Sequence, residues 1–213
     1  MIIAIDGPAA SGKGTLARRL AEALNLAYLD TGSLYRAVGL SVIRAGGDPS
    51  LEADAVKAAQ TLDLSEFSPV DLRSEDAGVA ASQVAFIPAV RAVLLDFQRR
   101  FAAHPPEGKV GVVMDGRDIG TVVCPNAPAK IFVTADLDER VRRRVKELRD
   151  KGETVIEARI REDMEARDAR DKDRSVSPLI PAEDAWELDT SKLDADAAFA
   201  QAKAYVEAKM PAN

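Results

Sequence analysis

Lys13 stands in the loop Gly7-Pro8-Ala9-Ala10-Ser11-Gly12-Lys13-Gly14-Thr15, between an apolar run, Ile2 to Ile5, and a stripe at Leu16, Leu20 and Leu24. Glycines and small residues let a loop turn its backbone N–H groups inward around an anion. A helix opening behind such a loop adds unpaired N–H donors and the positive end of its dipole. A lysine at that point supplies a mobile charge for the outer phosphates of a nucleoside triphosphate. Strand, loop and helix in this order therefore predict a phosphate-binding P-loop over Gly7 to Thr15. The generic pattern has Ser or Thr directly after the lysine to hold Mg²⁺. Here Gly14 takes that place, and the hydroxyl comes one residue later, at Thr15.

Transfer of a phosphoryl group asks little covalent help of a protein. It needs two substrates held in line, water excluded and positive charge around the transferring group. Arginine suits this because its guanidinium is always charged and forks onto phosphate oxygens. Two arginine-rich segments occur, Arg140-Val141-Arg142-Arg143-Arg144 and Arg167-Asp168-Ala169-Arg170-Asp171-Lys172-Asp173-Arg174. In helical geometry Arg167, Asp171 and Arg174 share a face, and Arg170 and Arg174 share an edge. Spacing alone fits two readings: an anion site, or an exposed helix laced with Arg–Asp pairs worth a few tenths of a kcal/mol each.

Two more polar clusters follow apolar runs. The segment Val112-Val113-Met114-Asp115-Gly116-Arg117-Asp118 ends a buried strand in charged groups, where ligands of open α/β sheets bind. Asp115 there suits Mg²⁺ through its water shell, or is simply a charged turn. Asp30-Thr31-Gly32-Ser33-Leu34-Tyr35-Arg36 follows the second apolar run, and it also reads as turn and cap chemistry.

The elements that must position these groups alternate. Apolar runs at 2–5, 27–29, 110–114, 130–133 and 185–188 read as strands. Helical patterns occupy 13–25, 33–45, 51–61, 88–103 and 193–210. Asp136 with Glu139, and Thr154 with Glu157, have capping-box spacing, and Gly152 suits a helix stop. They predict a helical hairpin over about 137–151 and 155–170 that is free to move as a unit. The stretch 63–80 shows no clear period and reads as an insert. The fold class is α/β: a three-layer P-loop NTPase-type domain with a five-stranded parallel sheet and helices on both faces. The chain is one domain, with its core at 1–62, 81–136 and 175–213, the insert at 63–80 and the hairpin lid at 137–174.

A chain of 213 residues can bury a substantial core, and a net charge of −6 argues against a general nucleic-acid or membrane-surface binder. The single cysteine, Cys124, excludes an intramolecular disulfide and fits a reducing compartment. No leader-like segment precedes the first strand, and no apolar run is long enough to span a bilayer. These features predict a cytoplasmic protein with no membrane partner. Nothing signals obligate assembly, so a monomer is the default.

Taken together, the segments resemble the bacterial cytidylate kinase family of nucleoside monophosphate kinases. The resemblance is carried by Ile5-Asp6-Gly7-Pro8 through Gly14-Thr15, by Asp30 to Arg36, and by Ala81-Ser82-Gln83-Val84-Ala85. Asp115-Gly116-Arg117-Asp118-Ile119-Gly120-Thr121-Val122-Val123 and Arg167-Asp168-Ala169-Arg170-Asp171 complete it, over residues 1 to about 190. The resemblance implies transfer of the γ-phosphoryl of ATP to CMP or dCMP, with Mg²⁺ held by Thr15 and, through water, Asp115. It implies monophosphate contacts at Thr31, Arg36, Ser82, Arg91, Asp118, Arg167, Asp171 and Arg174. Arg36, Arg91 and Arg117 or Arg174 would lie near phosphates, Ser82, Arg167 and Asp171 at the cytosine edge, and Asp118 at the sugar. Lys13, Arg140, Arg143, Arg144, Arg170 and Arg174 would form the catalytic set, with the hairpin as lid. The stretch between Leu64 and Ala81 is short for the family's inserted lobe. Two rivals stand beside this reading: a kinase for UMP, AMP or an alcohol, and a nucleotide-binding switch without turnover.

Overall fold

The computed structural model describes residues 1–210. The chain falls into two compact units, Met1–Leu29 with the segment from Pro105 onward, and Asp30–His104. The expected strands are all present: β1 (Ile2–Asp6), β2 (Ala27–Asp30), β3 (Val112–Gly116), β4 (Ala129–Thr134) and β5 (Trp186–Asp189). They form one parallel sheet in the order β2-β3-β1-β4-β5. β1 lies in the middle, with Asp6 opposite Gly116 of β3 and Phe132 of β4. Strand β3 runs two residues later than its apolar pattern suggests. Val110 is left exposed, while Asp115 and Gly116 are buried in the ladder.

In the first unit, α1 (Lys13–Ala23) and α8 (Ala195–Lys209) cover the sheet. Leu16 and Leu20 of α1, and Ala198, Ala202 and Val206 of α8, pack with Ile3, Ile5, Val113, Ile131, Val133 and Leu188. Each helical set recurs every four residues and so forms one stripe. The hairpin is also here, as α6 (Leu137–Asp150) and α7 (Glu157–Lys172). Val141 and Val145 of α6 and Met164 of α7 form its own small core, against which Ala10 of the P-loop packs.

Neither expected capping box forms. The side chain of Asp136 caps nothing, because Glu139 turns to Arg142 and Arg143 instead. Helix α7 starts at Glu157 with Ile156 at its cap position, so Thr154 lies outside it. Gly152 does act as the stop, at φ +82°, with its N–H on Arg149 and that of Glu153 on Leu148. This pair of bonds is the Schellman closure. Helix α7 ends at Lys172, so Arg174 does not continue the helical face of Arg167 and Asp171 but follows the turn.

The second unit holds four helices among the described residues: α2 (Thr31–Arg44), α3 (Glu52–Gln60), α4 (Glu75–Val84) and α5 (Pro88–Ala103). Helix α2 starts two residues earlier than its pattern because Asp30 caps it, accepting from the backbone N–H of Ser33 at 3.2 Å. Helix α4 corrects the reading of 63–80 as aperiodic. That stretch makes two short 3₁₀ turns and then enters α4, capped by Ser74. Ala77, Ala80, Ala81 and Val84 are its buried stripe, written in residues too small to stand out. Their size lets α2 approach closely, since a Cβ on Gly39 would lie 2.6 Å from that of Ala80. No single helix among the described residues is long and apolar enough to cross a membrane.

Candidate active site

The chain leaves β1 into a loop whose shape its glycines dictate. A Cβ on Gly7 would lie 2.1 Å from the carbonyl oxygen of Val133, so no side chain fits between the P-loop and β4. Gly12 has φ +91° and Ala10 φ +58°, left-handed turns that re-aim successive peptides. Gly12 is also the N-cap of α1 and makes no side-chain cap, which leaves the first N–H groups of the helix for an anion. Lys13 folds back over the loop, its Nζ donating to the carbonyl of Pro8 at 3.3 Å.

At the end of β3, the buried Asp115 accepts from the hydroxyl of Tyr28 at 3.0 Å on Oδ1. Its Oδ2 points to the start of α1, where a Cβ on Gly14 would lie 3.3 Å away. Glycine therefore keeps a gap between α1 and a carboxylate, which accounts for the departure from the generic P-loop. The Asp115 carboxylate and the Thr15 hydroxyl are both oxygen donors, the ligand type that Mg²⁺ takes. No cluster of three or more His, Cys, Asp or Glu side chains among the described residues is placed to hold a metal by itself. Thr15 is exposed and lines a cavity of about 330 Å³ together with Ser11, Gly12, Arg142, Arg143 and Thr190.

Beyond β3 lies a cluster of charged groups. Asp171, only 2% exposed, accepts from Arg117 Nε at 2.8 Å on Oδ2 and from Arg174 Nη2 on Oδ1. Burial pushes its carboxyl up, but the guanidinium groups of Arg117, Arg174 and Arg167 outweigh this and hold it below the usual range. Asp118 is buried beside Arg117 in sequence. The turn that follows is fastened by Asp6 at the end of β1, whose two oxygens accept from the N–H groups of Ile119 and Gly120, each at 2.8 Å. Burial nevertheless drives the Asp6 carboxyl up to about 7, against those two bonds.

The hairpin arginines divide. Arg140 is buried, donating to Asp168 at 2.6 Å, to the Ala135 carbonyl at 3.0 Å and to the Ala9 carbonyl of the P-loop at 3.4 Å. Arg143 reaches the Ser11 carbonyl at 3.3 Å and both the hydroxyl and carbonyl of Thr190. Glu139 lies between Arg142 and Arg143, and their hydrogen bonds, that of Arg142 first, hold its carboxyl down to about 2. Arg144 pairs instead with Glu147, and Arg170 is exposed, donating to the Ala166 carbonyl of its own helix.

In the second unit, Arg91 is buried on α5, with its guanidinium 5.5 Å from the centre of the Tyr35 ring. Arg36 donates to the Leu72 carbonyl at 3.0 Å. Thr31 is buried at the start of α2. Ser82 is buried on α4, and its hydroxyl has no hydrogen-bond partner among the described residues. Pattern reading missed Asp6, Asp168 and Thr190. Asp6 and Asp168 both stand inside motifs, whereas Thr190 stands in none, and all three show their partners only in three dimensions.

A parallel sheet with a P-loop at its central strand and arginines gathered at the same strand ends defines a P-loop phosphotransferase. The sequence matches the family described as cytidylate kinase over residues 3–208. The cytidylate kinase of Paramagnetospirillum magneticum is 59% identical over 208 residues, covering 98% of each chain. That of Granulibacter bethesdensis is 57% identical over 211 residues, covering 99% of each. An uncharacterized protein from Eubacterium ventriosum shares the fold, with a TM-score of 0.52 at 17% identity, over 97% of this chain and 98% of that one. The chain belongs to the cytidylate kinase family.

Proposed function

We propose that the protein transfers the γ-phosphoryl group of ATP to CMP and dCMP, giving ADP and CDP or dCDP. The single observation that carries the acceptor side is Asp171, a buried carboxylate clamped by arginines on a chain that also holds a P-loop. The exocyclic amino group of cytosine needs an acceptor, and a carboxylate with one lone pair used on each oxygen still offers others. Uracil presents a carbonyl there and would leave that acceptor facing an acceptor.

On the donor side, the N–H groups of Gly12 to Thr15 and the Lys13 ammonium bind the β- and γ-phosphates. Mg²⁺, carried on those phosphates, would be met by Thr15 and, through water, by Asp115, and would supply further charge neutralisation. Arg117 and Arg174 are oriented by Asp171, and one or the other of them is assigned to a phosphate, as are Arg36 and Arg91. Ser82 and Arg167 join Asp171 at the base, Asp118 is assigned to the sugar, and Thr31 completes the set. The hairpin α6–α7 is assigned as a lid; Arg140 and Arg143 already reach the P-loop carbonyls of Ala9 and Ser11, and with Arg144 and Arg170 they are assigned to the transferring group. No side-chain base or covalent intermediate is needed, because the phosphate oxygen of CMP is itself the nucleophile. The working unit is assigned as a monomer in the cytoplasm.

The test is ADP release from ATP and Mg²⁺ over a panel of CMP, dCMP, UMP and AMP. Turnover with CMP and dCMP is expected, lowered on the order of 10²–10³-fold by Lys13→Ala. Release no greater than that of the Lys13→Ala control would sink the assignment. Faster turnover of UMP or AMP would move it to another acceptor.

A further inference from the structure

Thr190 has no part in the assignment above, yet its hydroxyl joins three elements of the donor side. It lies one residue beyond β5 and is 4% exposed. Its Oγ1 is 3.0 Å from the Ser11 carbonyl oxygen and 3.1 Å from that of Thr134, and it accepts from Arg143 Nη1 at 3.0 Å. A hydroxyl has one proton to give. The Thr134 carbonyl already receives the backbone N–H of Thr190 at 2.8 Å, while Arg143 Nη1 reaches the Ser11 carbonyl at the longer 3.3 Å, so the hydroxyl proton is of most use to Ser11. Arg143 closes the ring, its Nη1 reaching the Ser11 carbonyl at 3.3 Å and its Nη2 donating to the Thr190 carbonyl at 2.6 Å.

A trans peptide sets its C=O and N–H on opposite sides. Fastening the Ser11 carbonyl to Thr190 therefore aims the N–H of Gly12 the other way. The orientation of this peptide is not imposed by a regular helix, because Gly12 is left-handed at φ +91° and precedes the first turn of α1. We propose that Thr190 is a positioning residue for the triphosphate donor, fixing the Ser11–Gly12 peptide so that the Gly12 N–H faces the phosphates. This rests on the assignment of ATP to the P-loop.

The experiment is steady-state kinetics of the full chain, with ATP and CMP varied in turn. Turnover by the unaltered protein tests the kinase assignment independently of this proposal. Thr190→Val removes the hydroxyl at nearly constant volume, and the KM for ATP should rise about tenfold, the worth of one buried hydrogen bond, while the KM for CMP is unchanged. Thr190→Ser, which keeps the hydroxyl, should restore the KM for ATP. Thr190→Ala is the second variant should valine not fit the site, with the same split expected. An unchanged KM for ATP, or equal rises for both substrates, overturns the proposal and leaves Thr190 a packing residue.

Discussion

Asp171 is the residue assigned to acceptor choice. Its two oxygens hold Arg117 and Arg174, so its replacement has two separable consequences, one for the arginines and one for the base. Asp171→Asn should lower kcat/KM for CMP on the order of 10²-fold, and that for UMP much less, because an amide can present a donor to the uracil carbonyl. Equal losses for both acceptors would leave Asp171 as a support for the arginines alone. Asp171 was legible in the sequence through its motif and spacing. Its partnership with Arg117, 54 residues away, was not, because no local period links a strand end to a distant helix.

Among elements, the hairpin α6–α7 depends on a pair whose partners are 28 residues apart. Arg140 is 6% exposed, and Asp168 neutralises it from α7. Asp168→Asn keeps the shape but leaves a buried guanidinium with a neutral partner. It should cost about 2–3 kcal/mol in urea unfolding, since breaking a buried pair strands the remaining charge. A loss under about 0.5 kcal/mol would place the pair among surface ion pairs of little worth. The hairpin was legible in outline, because Gly152 stops α6 as its position suggests. Its starts were misread: the capping-box spacing was present, but Glu139 finds stronger partners in Arg142 and Arg143.

For the whole molecule, Asp6 ties stability to pH. Its carboxyl titrates near 7 when folded and near 4 when unfolded, so between those values the folded protein holds a proton that the unfolded chain releases. Stability should therefore fall as pH rises from about 4 to 7, by at most about 4 kcal/mol, and then level off. Asp171 acts in a lower window, because its depressed pKa withdraws stability only as the pH falls below the unfolded value. Unfolding midpoints taken from pH 4.5 to 7.5 should show the decline in the unaltered protein and a flatter profile in Asp6→Asn. Parallel profiles would show that Asp6 titrates normally. A second whole-molecule expectation concerns ligands: ATP and CMP should each raise the melting temperature separately, since each binds the folded chain. A rise with ATP alone would favour a nucleotide-binding switch.

The sequence by itself determined the class of sheet, the P-loop and its lysine, and the segments that carry the charged groups. All of these are written in short-range patterns of apolar period, glycine placement and motif. It could not show why Gly14 stands where a hydroxyl is usual; that depends on the Asp115 carboxylate, brought from β3 to within 3.3 Å of a Cβ at that position. Nor could it show α4, whose alanine stripe carries too little hydrophobicity to be read until α2 packs against it. Tertiary structure alone decided which partners the buried polar groups take: Asp6 with Ile119 and Gly120, Arg140 with Asp168, and Thr190 with Ser11. A buried charge or hydroxyl must find a partner wherever the fold brings one, and that choice is made in space, not along the chain.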